Sequence, residues 1–507
     1  MRQEIDGGMH SRSIQLHSGE SREMASEIVE AFDKLRREHP DRPLIYLPGK
    51  KSVLTTRDIA DGARRIVTAL DDLAINPDGV IISAVGNTPL LFSLLLACRS
   101  RGQPLLPFDH VGTSAEIDKR VREFSPAAIV VPDTYAGRVA GRPIGDGALI
   151  IPNACEPNHD ACRGAAVLKQ TSGSTGAVRA TVTPESTLVS DGRRLVAAMD
   201  IRPDDVQIAA IPLAHSYGLG NLVMPLLLNG TAISLRGAFV PQRIPEDARS
   251  VGARHLPGAP FMFNHWIDHP PLDGWPPTLT RLISAGAPLE SGTAEQFRRA
   301  FGVKVRPFYG TSETGGIAFD DSADATDPGF VGHPLPGVAI RLLPEAGMPA
   351  LGRVHVRSSA VSSGYTDRRN ELFADGGFLT GDLATLGAGG GLTLHGRVSS
   401  FINIAGRKVQ PDEVAGALRD FPGVIDAGVI GVADPRRGER LAACLAIAGP
   451  RPSTIALRSH CGARLAAYKI PRVFVFTDRL PRTPRGKIDT TALRHLVQQQ
   501  MSAEGML

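Results

Sequence analysis

The chain has 507 residues, 42% hydrophobic and 21% charged, with a formal net charge of +4. At ~150 residues per unit, that length predicts about three folding units with sizeable cores. So small a charge, with no dense Lys/Arg run, excludes nucleic-acid binding as the organising function.

Residues 1–20 are polar and lack an apolar segment of signal-peptide length, so a disordered N-terminal tail is expected, with Met1 and Met9 both open as the start. The most apolar run, Pro89 to Cys98, falls far short of the ~20 residues that span a bilayer. Five scattered cysteines without a Cys-x-x-Cys pair argue against a disulfide framework and fit a reducing cytoplasm. Cys155, His159 and Cys162 lie close together but lack the second ligand cluster that a zinc site needs.

Helical periodicity runs through residues 21–38, followed by a strand at Leu44–Leu47 and a helix at Thr56–Leu70 begun by Thr55 or Thr56. Gly79–Gly86 reads as a strand, and Pro89 opens the next helix. Strands are expected at Pro104–Pro107, Ala127–Val131, Val206–Ile211 and Thr231–Leu235, with a buried helix at Leu219–Leu228. Arg281–Pro288 leads into a Gly/Pro turn, Gly292–Phe301 is a helix, and Val303–Gly310 is the next strand and turn. This alternation indicates α/β units around largely parallel sheets. Residues 328–395 are glycine-rich with short strands, the texture of an antiparallel β subdomain whose Gly387–Gly391 run is a hairpin tip. Beyond Gly396 the texture is α+β, with helices at Pro411–Leu418 and Ile455–Leu465 and strands at Ala427–Val432 and Leu441–Ala448. The expected organisation is a tail at 1–20, a large N-terminal domain at 21–396, a hinge at 397–400 and a small mobile C-terminal lid at 401–507.

Thr171-Ser172-Gly173-Ser174-Thr175-Gly176 combines hydroxyl donors with glycines that let backbone N–H groups converge, and Arg179 adds a cation nearby. The set suits a triphosphate but is no Walker A loop, and alone it reads first as a Ser/Gly surface turn. Tyr309-Gly310-Thr311-Ser312-Glu313 ends a strand with hydroxyls and a carboxylate, where α/β folds bind ligands. Asp382, after Thr380-Gly381, suits a ribose; Arg397 adds a cation, and Lys487 sits on the turn Pro484-Arg485-Gly486. Singly, Asp382 also reads as a turn residue, Glu313 as a helix cap and Lys487 as a solvated lysine.

Together with Pro212-Leu213-Ala214-His215-Ser216-Tyr217-Gly218, Ser284-Ala285-Gly286-Ala287-Pro288-Leu289 and Gly396-Arg397, these segments resemble the adenylate-forming superfamily. That superfamily contains acyl-CoA synthetases, adenylation domains of peptide synthetases and beetle luciferases. The resemblance covers about residues 25 to 495 in family order. It implies an active site between a large and a small domain. Thr171–Gly176 and Arg179 would hold the ATP phosphates, and Gly286, Ala287, Pro288, Tyr309 and Gly310 would flank the adenine. Thr311 would contact the α-phosphate, Glu313 with Thr171 would serve Mg2+, and Asp382 and Arg397 would bind the ribose. Lys487 would stabilise charge as a carboxylate attacks the α-phosphorus. Gly406 would line a pantetheine tunnel and Lys408 would meet a CoA phosphate, with Ser399 as pivot.

The chain departs from the family where Val178, Arg179 and Ala180 replace the usual Pro, Lys and Gly, and where Ser399 and Ser400 replace an acidic pair. His215 and Tyr217 would gate an acyl pocket that Phe261, Met262 and Ala285 line, and His215 reads alternatively as a structural histidine. No Asp in 214–217 is present to pair an ammonium, so a fatty or aromatic acid without an α-amino group is expected. The expected reaction makes acyl-AMP from acid and ATP and then transfers the acyl group to a thiol. CoA is the first acceptor, the phosphopantetheine of a separate acyl carrier protein the second. A catalytically weak nucleotide-binding homologue is the third reading.

Overall fold

The computed structural model describes residues 26–108, 114–135, 141–153, 162–171, 179–237, 239–322, 327–345, 348–398, 402–404, 407–409, 411–434, 438–482 and 488–503. The expected tail at 1–20 lies outside them, as do Cys155 and His159. The described residues form a large α/β part with a β subdomain and a small α+β part, built on four sheets.

The first sheet has nine strands, and its centre is parallel: Pro43–Leu47, Val206–Ile208, Ala232–Ser234, His255–Gly258, Arg281–Ser284 and Val305–Thr311. Burial on both faces explains the near-continuous apolar runs of these strands. The second sheet has eight strands and mixes orientations: Leu105–Pro107 pairs in parallel with Val167–Thr171, which turns back antiparallel onto Arg179–Thr183. The expectation of largely parallel sheets therefore holds for the first sheet and for the middle of the second. Helices Thr56–Asp72 and Leu90–Ser100 lie in the core between the layers. Thr55 caps the former, its hydroxyl accepting from Asp58 N–H while the Asp58 carboxylate accepts from Thr55 N–H, a reciprocal capping box.

The β subdomain is antiparallel as expected, with Met348–Arg357 and Gly377–Leu386 at its centre and Leu392–Arg397 on the latter's flank. Strands Ile402–Ile404, Arg407–Val409, Val424–Asp434, Gly438–Ile447 and Val473–Thr477 form the fourth sheet, with helices on its two faces and separate apolar cores. Arg419 of this part reaches Glu290 of the large part, Nη1 to Oε1 3.7 Å.

The segment expected as one helix from Leu219 opens with a π-helical turn, Leu219–Val223, before the α-helical turns Met224–Asn229. Such turns concentrate at functional sites. The sequence reading also leaves several elements unnamed, among them helices Ser114–Phe124, Glu185–Ala198, Ile244–Val251, Pro260–Asp268 and Thr490–Ala503 and strands His255–Gly258 and Val473–Thr477. Among the described residues no helix is long and apolar enough to cross a membrane.

Candidate active site

The parallel strands of the first sheet end together at Gly258, Ser284 and Thr311, and Thr171 ends a strand of the second sheet. Three groups of side chains gather around these ends.

At the first, strand neighbours are paired across the β subdomain: Asp382 faces Arg397 directly in register. Arg397 Nε donates to Asp382 Oδ1 at 2.8 Å, and Tyr309 Oη donates to Oδ2 at 2.7 Å. Asp382 is 8% exposed. A carboxylate offers about four lone-pair positions, so each oxygen retains one for a further donor. Burial, with Asp382 second, raises the Tyr309 phenol well above its ordinary pKa, so it stays a donor. The Asp382 charge in turn raises the pKa of Arg397. Beside this group Gly286 takes a left-handed φ of 82°, which lets the chain turn after Ser284 where a β-carbon would strain it.

At the second, Glu313 Oε1 accepts from Tyr365 Oη at 2.7 Å, and the Arg179 guanidinium carbon lies 3.9 Å from the centre of the Tyr365 ring. Among the described residues no hydrogen bond engages Glu313 Oε2. Thr311 and Thr314 share a hydroxyl contact of 3.1 Å, Ser216 donates to Ser312 at 2.8 Å, and the Thr171 hydroxyl donates to Arg179 O at 3.4 Å. Cross-strand pairing puts Lys169 opposite Thr181 and Thr181 opposite Tyr365, so the three share one face. Lys169 is 2% exposed; burial lowers its pKa, and the charges of Asp191 and Glu313 oppose that shift. Asp191, raised by burial and steadied by Lys169, accepts from Gly316 N–H at 2.9 Å. Positive and negative groups thus alternate from Asp191 through Lys169 to Glu313 and Arg179.

At the third, His215 begins a short helical turn, its Nδ1 accepting from Tyr217 N–H at 3.4 Å. Tyr217 Oη donates to Ile283 O at 3.2 Å, and its ring stands 5.7 Å from Phe308. Burial raises the Tyr217 phenol pKa, so it too remains a donor. Phe261, on helix Pro260–Asp268, meets Phe239 edge-on at 5.7 Å, and Ala285 and Met262 are buried.

The structure therefore brings Thr171, Arg179, Thr311, Glu313, Tyr309, Asp382 and Arg397 to one edge, with His215, Tyr217 and Phe261 in the neighbouring strand-end segments. Ser172–Gly176, Gly406 and Lys487 lie outside the described residues, as do Ser399 and Ser400. Lys408 belongs to the strand Arg407–Val409, and only its backbone is described. Sequence reasoning missed Lys169, Asp191 and Tyr365. The one signal for Lys169 is a charge inside the apolar approach Ala165-Ala166-Val167-Leu168. Tyr365 is one of only six tyrosines and follows Ser362-Ser363-Gly364.

The family model "AMP-binding enzyme" matches residues 32–366, and "AMP-binding enzyme C-terminal domain" matches residues 413–487. A p-hydroxybenzoic acid–AMP ligase, FadD22, of Mycobacterium tuberculosis is 30% identical over 90% of this chain and 66% of its own length. The chain thus spans about two-thirds of that relative. A feruloyl-CoA synthase of an Amycolatopsis species is 28% identical over 86% of this chain and 92% of its own. The structure of the amide bond synthetase McbA from Marinactinospora thermotolerans superposes with a TM-score of 0.78 at 25% identity, covering 92% of this chain and 99% of that one.

Proposed function

The chain belongs to the AMP-binding enzyme family of adenylate-forming enzymes, and we propose that it is an acid–thiol ligase using ATP. The observation that carries this reading is the Tyr309–Asp382–Arg397 group standing one strand end from Glu313 and Arg179, a nucleoside corner next to a phosphate corner.

In the proposed reaction a carboxylate oxygen attacks the α-phosphorus of ATP. The new O–P bond forms as the bond to the β-phosphate oxygen breaks, and pyrophosphate leaves. A thiol sulfur then attacks the acyl carbon, losing its proton, and AMP departs. Asp382 keeps two acceptor positions for the two ribose hydroxyls, with Arg397 and Tyr309 fixing its rotamer. Gly286, Ala287 and Pro288 give the adenine a turn to lie against. Thr311 would stand at the α-phosphate, the Thr171–Gly176 loop and Arg179 would meet the β- and γ-phosphates, and Lys487 would supply a cation to the attacking carboxylate.

Mg2+ fits Glu313. Among the described residues no cluster of three His, Cys, Asp or Glu could cage a metal alone, and a single carboxylate with one unengaged oxygen suits an ion shared with phosphates. Bound there, with Thr171 nearby, the ion would neutralise charge on the departing pyrophosphate.

We place the hinge at 397–400 and the lid at 401–507, on the separate sheet and cores of the latter. CoA stands first as acceptor. A holo-carrier protein stands second, since its phosphopantetheine presents the same thiol. Aromatic acids head the substrate panel because Tyr217, Phe308, Phe239 and Phe261 offer flat walls and two similar proteins are named for aromatic acids.

The test is carboxylate-dependent ATP–pyrophosphate exchange over a panel of aromatic and fatty acids, followed by thioester detection with CoA and with a holo-carrier. Exchange with at least one acid is expected; none with any acid overturns the ligase reading.

A further inference from the structure

Resting on that reading of Glu313, we propose that Tyr365 is a positioning residue that fixes the Glu313 carboxylate for a phosphate-bound divalent cation and ties it to Arg179. Three segments distant in sequence meet at this one ring. Its hydroxyl donates to Glu313 Oε1 at 2.7 Å, and its face carries the Arg179 guanidinium at 3.9 Å. Its backbone pairs with Thr181 two residues after Arg179.

The ring has little freedom to leave. Tyr365 is 3% exposed and packs edge-on against Phe373 at 5.2 Å. Its N–H donates to Asn370 Oδ1 at 2.8 Å. Gly364 makes that approach possible, because a β-carbon there would lie 2.6 Å from the Asn370 amide nitrogen. Ser362 N–H donates to Glu313 O at 2.8 Å, so the backbone of this segment grips the same residue as its side chain does. Ser362 also continues a hydroxyl chain to Thr183 at 3.1 Å and on to Thr181 at 3.1 Å.

The chemistry follows from this geometry. A hydrogen bond to one oxygen stops the carboxylate from rotating and leaves the other oxygen as the metal's position. The Arg179 guanidinium is held over the ring face, and among the described residues its buried Nε has no hydrogen-bond partner. The stack explains how an arginine replaces the family's usual lysine: the ring fixes a fork that would otherwise swing. Tyr365 thereby sets the distance between the metal carboxylate and the phosphate-loop cation.

Tyr365→Phe keeps the ring, the stack and the packing and removes only the hydroxyl. The loss of one hydrogen bond to a charged group should raise the Mg2+ concentration for half-maximal exchange about tenfold. Velocity at saturating Mg2+ should stay within about threefold of wild type, and Tm should fall by about 4 °C or less. Mn2+ binding in the presence of ATP, counted by electron paramagnetic resonance, should weaken by a similar factor, while binding of metal-free ATP should not change. Unaltered metal dependence in Tyr365→Phe overturns the proposal, as does a fall in saturated velocity with unaltered Mn2+ binding. The Mn2+ titration uses no acid, so wild-type Mn2+–ATP binding without exchange would sink the ligase reading while still deciding the role of Tyr365.

Discussion

The nine-stranded sheet carries charge at both ends of its parallel strands, and the two ends are built on different principles. At the amino-terminal end Asp205 accepts from Arg254 at 2.8 Å and from the buried His255 at 3.0 Å. Asp200 joins Arg254, Arg202 and Arg281, and Arg281 continues to Asp321. Each carboxylate there meets its complement within the chain. At the carboxyl-terminal end the groups are held but, among the described residues, not saturated: Asp382 keeps two acceptor positions, Glu313 an oxygen and Arg179 its buried Nε. A closed ionic cluster stabilises the fold, whereas a rigid cluster with residual capacity awaits a ligand. Both ends carry charges of both signs, and the difference lies in the carboxylates. Those at the amino-terminal end are met by cations, although His255 Nδ1 and Arg306 Nε there are also buried without a partner among the described residues, whereas Asp382 and Glu313 keep acceptor positions.

Breaking the open end should have the larger consequences. Asp382→Ala leaves the Tyr309 hydroxyl and the Arg397 Nε without their acceptor and removes the positions for a ribose. With two hydrogen bonds to a charge at about 2 kcal/mol each, exchange should fall on the order of 10³-fold, chiefly through the KM for ATP. A loss confined to kcat would argue against a nucleoside corner. Next comes Lys169→Met, which strips the buried Asp191 of a counter-charge and should lower stability by about 3 kcal/mol in denaturant titration. Adding Asp191→Asn should restore much of that loss, because the amide oxygen can still accept from Gly316. If the double variant is no more stable than Lys169→Met alone, the two charges do not support each other.

Much of this architecture was legible in the sequence, and the failures have physical causes. The helix at Thr56 and the strand at Leu44 were readable because caps and periodicity are local signals. Asp382, Arg397, Glu313 and Arg179 were readable as site candidates because they sit in short motifs in family order. Tyr365 was not, because its significance depends on pairing with Thr181, 184 positions away, and on a ring contact. Lys169 was not readable either, since its burial beside Asp191 arises only when helix Glu185–Ala198 docks. The π-helical turn at Leu219 was likewise hidden, because its apolar residues match a regular helix equally well.

The closed end offers the smallest and most specific prediction. Arg254, by hydrogen bonding to Asp200, lowers that carboxyl from the ordinary 3.8 to about 2. A carboxyl whose pKa is lower in the folded than in the unfolded chain stabilises the fold fully above the unfolded value. That contribution fades as pH falls from about 4 through about 2. Asp200 is 40% exposed, so solvent screens the pair and the effect on Tm should be a few degrees at most. Asp200→Asn should therefore melt slightly below wild type at pH 5, with the gap narrowing toward pH 3. Exchange activity should be untouched, because the cluster lies at the far end of the strands. A gap that widens on acidification would reverse the assigned sign. A loss of exchange without a change in Tm would mean that the amino-terminal cluster, closed as it is, communicates with the site.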